Sequence, residues 1–244
     1  MESTLRIRTG DAFSIFGTLN TSNSGKKSKL LIFVHGLTGN KDEHQYINAA
    51  PFFNAHGIDT FRFDLYSDED NGRSLSDCNV KVHAGDLLMV INHFKDKYKE
   101  LFLVGHSLGA TVILHTDISV VKRVVLWDPT KGMESLAQKA CVYTKDLGKY
   151  MLNWRMTILV NHEMVDDWMQ AARISDSIKM FTKPSKLIFA GNCDIYDGWK
   201  PFLKDVTVPN EVVVIPGATH VFIEEGTAER MYEETLKWVN TGPQ

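Results

Sequence analysis

Apolar residues fall into two alternating kinds of segment along this chain. Leu30–Val34 is an uninterrupted apolar run ending at His35-Gly36, and Leu101–Val104, Val121–Trp127, Lys186–Ala190 and Glu211–Ile215 are further apolar-rich runs. Short runs of this kind predict strands buried on both faces, as in a parallel sheet. Ile58–Phe63, after a Gly57 stop, predicts another. Helical spacing occupies the intervals: 43–55, Val80–Phe94, and an amphipathic stretch from Glu224 to Val239. Leu5–Arg8 and Phe13–Leu19, hinged at Thr9-Gly10-Asp11, predict an antiparallel hairpin before the alternation begins, followed by a polar turn over 20–29. Strands alternating with helices imply an α/β class, a doubly wound and mostly parallel sheet with helices on both faces. One interval breaks the rhythm. Pro129 to Pro184 is far longer than an ordinary crossover connection, so we expect a core domain of residues 1–128 and 185–244 with a small inserted cap, 129–184.

Composition narrows the partners. With 43% hydrophobic and 23% charged residues, the 244-residue chain is an ordinary globular sequence. A net charge of -3 and no basic tract longer than Lys26-Lys27 give no field for a phosphate backbone, so nucleic acid is not an expected partner. Residues 1–10 lack the apolar stretch of a signal peptide or membrane anchor, which points to a cytoplasmic protein without stable membrane insertion. Three cysteines (Cys78, Cys141, Cys193) show no C-x-x-C spacing, and His162-Glu163 fails the H-E-x-x-H pattern because Asp166 holds the fifth position. Neither a metal nor an organic cofactor is expected. The acidic turn Ser67–Asn71 lacks the spacing of a calcium loop and reads as a solvated turn.

The chemistry is concentrated at Gly105-His106-Ser107-Leu108-Gly109, a G-x-S-x-G segment joining the run Leu101–Val104 to a helical segment from Thr111 to His115. A strand-turn-helix of this form holds a serine in a strained conformation with its hydroxyl above the sheet. The two glycines are required where side chains would meet neighbouring backbone. Ser107 is therefore the candidate nucleophile, and the N–H of Leu108, at the start of the helix, a candidate oxyanion donor.

With that turn, His35-Gly36-Leu37-Thr38-Gly39 at the end of the first buried strand resembles the α/β-hydrolase family over nearly the whole chain. The resemblance implies an eight-stranded sheet, Leu37 N–H as the second oxyanion donor, and a triad in the order nucleophile, acid, histidine. His220, in Pro216-Gly217-Ala218-Thr219-His220 after the last strand, takes the place of the base. His35 is expected to brace its loop. Asp194, in Gly191-Asn192-Cys193-Asp194, matches the family's Gly-x-x-Asp turn and is the preferred acid, with Asp197 and Asp128 as alternatives. The implied activity is a serine carboxylesterase acting through an acyl-enzyme on a small-molecule ester.

Residues His35–Lys41, Phe61-Arg62-Phe63-Asp64 and the position of the cap look like small bacterial cinnamoyl or feruloyl esterases, and more loosely like monoglyceride lipases. An amidase or peptidase would use the same triad, and a non-catalytic binding protein is the remaining alternative. Six of the nine methionines (Met133, Met151, Met156, Met164, Met169, Met180) lie in the inserted segment with Trp154 and Trp168. Met151, Trp154, Met164 and Trp168 are thus candidates for an adaptable apolar wall over the substrate, set against a role in packing the cap itself.

Overall fold

A computed structural model describes residues 1–22, 27–130, 141–154, 156–171 and 174–242. Its frame is an eight-stranded sheet built from β1 (Glu2–Arg8), β2 (Ser14–Asn20), β3 (Lys29–Val34), β4 (Asp59–Phe63), β5 (Glu100–His106), β6 (Arg123–Trp127), β10 (Ser185–Ala190) and β11 (Asn210–Ile215). The order across the sheet is β1-β2-β4-β3-β5-β6-β10-β11. β1 and β2 form the antiparallel hairpin, β2 pairs antiparallel with β4, and every pair from β4 to β11 is parallel.

The period of two along each central strand builds a core on both faces. Leu30, Ile32 and Val34 of β3 join a cluster with Leu87, Val90 and Ile91, whereas Leu31 and Phe33 face Tyr46, Phe53 and Trp238. The first layer is covered by α3 (Val80–Phe94) and α4 (Leu108–Leu114). The second is covered by α1 (His44–Ile47), α2 (Ala49–Ala55) and α8 (Thr227–Thr241).

Where one helix was expected over 43–55, two are found, divided at Asn48. Pro51 explains the break: it has no N–H to donate, and its ring clashes with the carbonyl of Ile47 in a continuous helix. α3 starts where the pattern predicted because Asn79 caps it, its side chain accepting from Val82 N at 2.8 Å.

Among the described residues between β6 and β10 are three strands that the apolar pattern did not announce. β7 (Cys141–Thr144), β8 (Lys149–Trp154) and β9 (Met156–Val160) form a separate antiparallel sheet, followed by α5 (His162–Ala171) and α6 (Ile174–Ser177). Val142, Tyr143 and Leu147 here are exposed, while Leu152, Val160 and Met164 are fully buried in the first-layer cluster. Polar contacts reinforce that attachment: Asp167 accepts from Val80 N at 3.0 Å, Lys149 donates to Ser76 O at 2.6 Å, and Asn79 bonds Glu163. Met133 and the side chains of Trp154 and Trp168 lie outside the described residues. Met151 is half-buried on β8. Among the described residues no helix is long and apolar enough to cross a membrane.

Candidate active site

Sheet register decides which residues meet. β5 and β6 pair with His106 opposite Trp127, so the next residue on each strand, Ser107 and Asp128, leaves the sheet at the same level. Backbone bonds fix the junction, with Ser107 N donating to Trp127 O at 3.1 Å and Thr130 N to Ser107 O at 3.4 Å. Ser107 has φ 53° and ψ -117°, the strained turn expected of a nucleophile elbow, and the seven-residue α4 begins at Leu108.

The flanking glycines are sterically obligatory. A Cβ at Gly105 would stand 2.7 Å from Gly109 C and O, and one at Gly109 would stand 2.1 Å from Val34 O. β5, α4 and β3 approach too closely for any other residue. Gly36 lies against Ser107 as well, since its Cβ would come 3.1 Å from Ser107 Cβ. The loop Gly36–Gly39 and the first turn of α4 therefore flank Ser107, and Leu37 and Leu108 sit in these two segments. The Leu108 N–H belongs to the turn whose donors have no acceptor within the helix.

His35 holds this loop from behind. It is buried, its Nδ1 donates to Gly36 O at 2.7 Å and its Nε2 accepts from Leu65 N at 2.9 Å. Burial lowers its pKa, in keeping with the neutral tautomer those bonds require.

His220 meets the carboxylate of Asp128, which the sequence offered as an alternative to the preferred Asp194. His220 Nδ1 and Asp128 Oδ2 are 2.6 Å apart, and Asp128 is completely buried at the end of β6 with φ 41°. Its Oδ1 accepts from Ala190 N at 3.1 Å, and its Oδ2 also accepts from Cys193 Sγ at 3.2 Å. Asp194 lies beyond the Gly191–Cys193 turn, at the N-cap of α7 (Ile195–Trp199), and is exposed, as is Asp197 in the first turn of that helix. Strand register and burial place Asp128 for this contact. The β10–β6 pairing sets Ile188 opposite Trp127, which brings Asp128 to the level of Phe189 and directly beneath the histidine loop.

The Gly-Asn-Cys turn that suggested Asp194 has another part. Gly191 N donates to Ile215 O at 2.9 Å and Asn192 N to Ala218 O at 2.8 Å, while Asn192 Nδ2 donates to Gly217 O at 3.0 Å. Together they pin the loop that carries His220. Glu224 secures the same loop from its far side, accepting from Thr219 N at 2.9 Å and from Thr219 Oγ1 at 2.6 Å.

His106, inside the elbow, is a residue that motif reading passed over. Its Nε2 donates to His220 O at 2.8 Å and the two rings stand 4.7 Å apart, so the histidine loop is tied to the residue before Ser107. Burial and the neighbouring His220 lower the His106 pKa to about 3, which keeps it a neutral donor. The position of His106 in the G-x-S-x-G turn was the available signal, but nothing in the sequence specified its partner. The thiol of Cys193 is pushed up to about 12 by burial, so it meets Asp128 as an uncharged S–H.

Residues 31–234 match the family model described as "Alpha/beta hydrolase family", which spans most of the chain and agrees with the sheet order and elbow just described. The chain belongs to the α/β hydrolase family. Among solved structures, this hydrolase shares its fold with Est1E from Butyrivibrio proteoclasticus at a TM-score of 0.77 and 19% identity, covering 97% of this chain and 98% of that one. The esterase domain of a Rhodothermus marinus protein matches at 0.75 with 15% identity over 98% of each chain. A dienelactone hydrolase from Anabaena variabilis matches at 0.69 with 16% identity, covering 98% of this chain and 96% of that one. No curated protein matches the hydrolase in sequence.

Proposed function

We propose that this hydrolase is a carboxylesterase in which Ser107 is the nucleophile, His220 the general base and Asp128 the acid. The observation that carries the reading is the 2.6 Å contact between His220 Nδ1 and the buried Asp128 carboxylate, on a loop tied through His106 to the strained elbow of Ser107. With Nδ1–H given to Asp128, the neutral imidazole keeps its Nε2 lone pair for the Ser107 proton. Ser107 Oγ then attacks the acyl carbonyl, and its proton passes to His220. The tetrahedral oxyanion takes hydrogen bonds from Leu37 N–H and Leu108 N–H, worth about 3 kcal/mol for each donor in comparable sites. Collapse expels the alcohol, which receives the proton from His220, and water repeats the sequence on the acyl-enzyme.

Esters of small to medium acids, aromatic ones included, are the proposed substrates. Support comes from the Rhodothermus marinus esterase domain among the structural neighbours and from Est1E, which is also seen with ferulic acid bound. The interval 129–184 is read as a cap, with Met151 as a candidate wall residue; Met164 is buried in the main core and serves packing. The test is turnover of p-nitrophenyl esters of increasing chain length alongside a hydroxycinnamate ester and a matched anilide. We expect ester turnover that disappears in Ser107→Ala, with the variant still folded by circular dichroism. Ester turnover by Ser107→Ala, or anilide cleavage exceeding ester cleavage by the intact enzyme, overturns the reading.

A further inference from the structure

Glu43 is a half-buried carboxyl group with no part in the chemistry described so far. It is the N-cap residue of α1 yet makes no side-chain capping bond. Its side chain turns instead under the oxyanion loop, where a Cβ on Gly39 would meet Oε2 at 2.4 Å, Cδ at 2.9 Å and Oε1 at 3.1 Å. Oε2 is buried and has no hydrogen-bond donor among the described residues. An acceptor held this way costs stability unless a charge answers it. Gly39 in turn has to be glycine for the carboxyl to lie there.

α1 reaches the histidine loop through His106, whose Nδ1 lies 3.4 Å from Gln45 Nε2 and whose Nε2 donates to His220 O at 2.8 Å. The groups that interact electrostatically with Glu43 include Tyr46 of α1, Tyr66 beyond β4, and His220. Both phenols are shifted upward by burial and further by the Glu43 charge, so they remain neutral and offer it no counter-charge. His220 is the group that does. Burial raises the Glu43 pKa and the His220 charge draws it back down. Around His220 itself stand Asp128 from β6, His106 from β5, Glu43, and on its own loop Glu224, which is bound to Thr219. His106 is held neutral by burial, and Asp128 and Glu43 act on His220 from two different elements.

We propose that Glu43 is a positioning residue that braces the oxyanion loop at Gly39 and supplies the His220 imidazolium with a second counter-charge, from a different element than Asp128. The proposal rests on His220 as the base. As the imidazole takes the Ser107 proton, the new cation is stabilised from two directions, and the loop carrying Leu37 N–H is held by the same side chain.

The test compares Glu43→Gln, Glu43→Asp and Glu43→Ala. Glu43→Gln keeps the shape and removes the charge. We expect its kcat on a p-nitrophenyl ester to fall about tenfold, and the acidic limb of kcat/KM to move to lower pH by about one unit, because a cation without its anion forms less readily. Glu43→Asp, which retains the charge, should keep the limb near the native position. NMR titration of the His220 imidazole in a Ser107→Ala background, with and without Glu43→Gln, reads the same coupling with no substrate present. It therefore separates failure of this proposal from failure of the esterase reading. Superimposable titrations, or a Glu43→Gln limb identical to the native one, overturn it; so does loss of activity confined to Glu43→Ala, which is the result for a packing residue alone.

Discussion

At the scale of single residues, the site is organised around one buried carboxylate. Asp128 satisfies both oxygens with fixed partners: Ala190 N on Oδ1, His220 Nδ1 and Cys193 Sγ on Oδ2. A carboxylate so enclosed is held rigid, and its charge is spent on the imidazole because solvent does not reach it. Asp194 and Asp197, both exposed, carry a charge that water screens. We therefore expect Asp128→Asn to lower kcat by about 10³ to 10⁴, the scale of losing the correct imidazole tautomer, while Asp194→Asn stays within about threefold of the native rate by the same reasoning on screening. Steady-state kinetics on one p-nitrophenyl ester decides it. The opposite ranking would return the acid to the turn after β10. The sequence could not make this choice, because Trp127-Asp128 and the Gly191–Asp194 turn each set an aspartate just past an apolar strand. Only the register between β6 and β10 distinguishes them, and register is a property of paired strands.

At the scale of elements, the β5-turn-α4 unit is where local sequence and tertiary contact demand the same thing. The run Leu101–Val104, the glycine spacing and the following helix were all legible, because a strand buried on both faces leaves an unbroken apolar record and a crowded turn leaves glycines. Gly109→Ala tests how tight the constraint is. Its Cβ would overlap Val34 O at 2.1 Å, and the neighbour is backbone of a central strand that cannot turn aside. We expect a loss of about 3 kcal/mol, the upper part of the range for overpacking, measured by urea denaturation, together with loss of hydrolase activity. A stability change below about 1 kcal/mol would mean that α4 can slide on β3. The small sheet β7–β9 was illegible for the converse reason. Exposed Val142, Tyr143 and Leu147 sit close to half-buried and buried positions, so no period of two with one clean apolar face survives. Its attachment to the core depends instead on long-range polar contacts such as Asp167 to Val80 N, which no local window contains.

At the scale of the whole molecule, the core that fixes the site also makes the fold sensitive to acid. His35, His83 and His106 are all buried on the carboxyl-end side of the structure or in α3, and burial lowers the pKa of each, to about 3 for His83 and His106. Unfolded, these imidazoles return to about 6.5. The depressed folded values mean that the native state binds fewer protons, so the stability from keeping the rings neutral is complete above pH 6.5 and declines as pH falls toward 3. His83 is the informative member, since its ring is fully buried and it lies outside the site, 6.1 Å ring to ring from Tyr66. His83→Leu replaces it with an apolar side chain that does not titrate. Its melting temperature should fall less than the native protein's between pH 7 and pH 4.5, while the two proteins keep similar pH profiles of kcat/KM. Equal slopes of melting temperature against pH would show that His83 is protonated in the native core, and that the acid sensitivity resides in the carboxylate pairs instead.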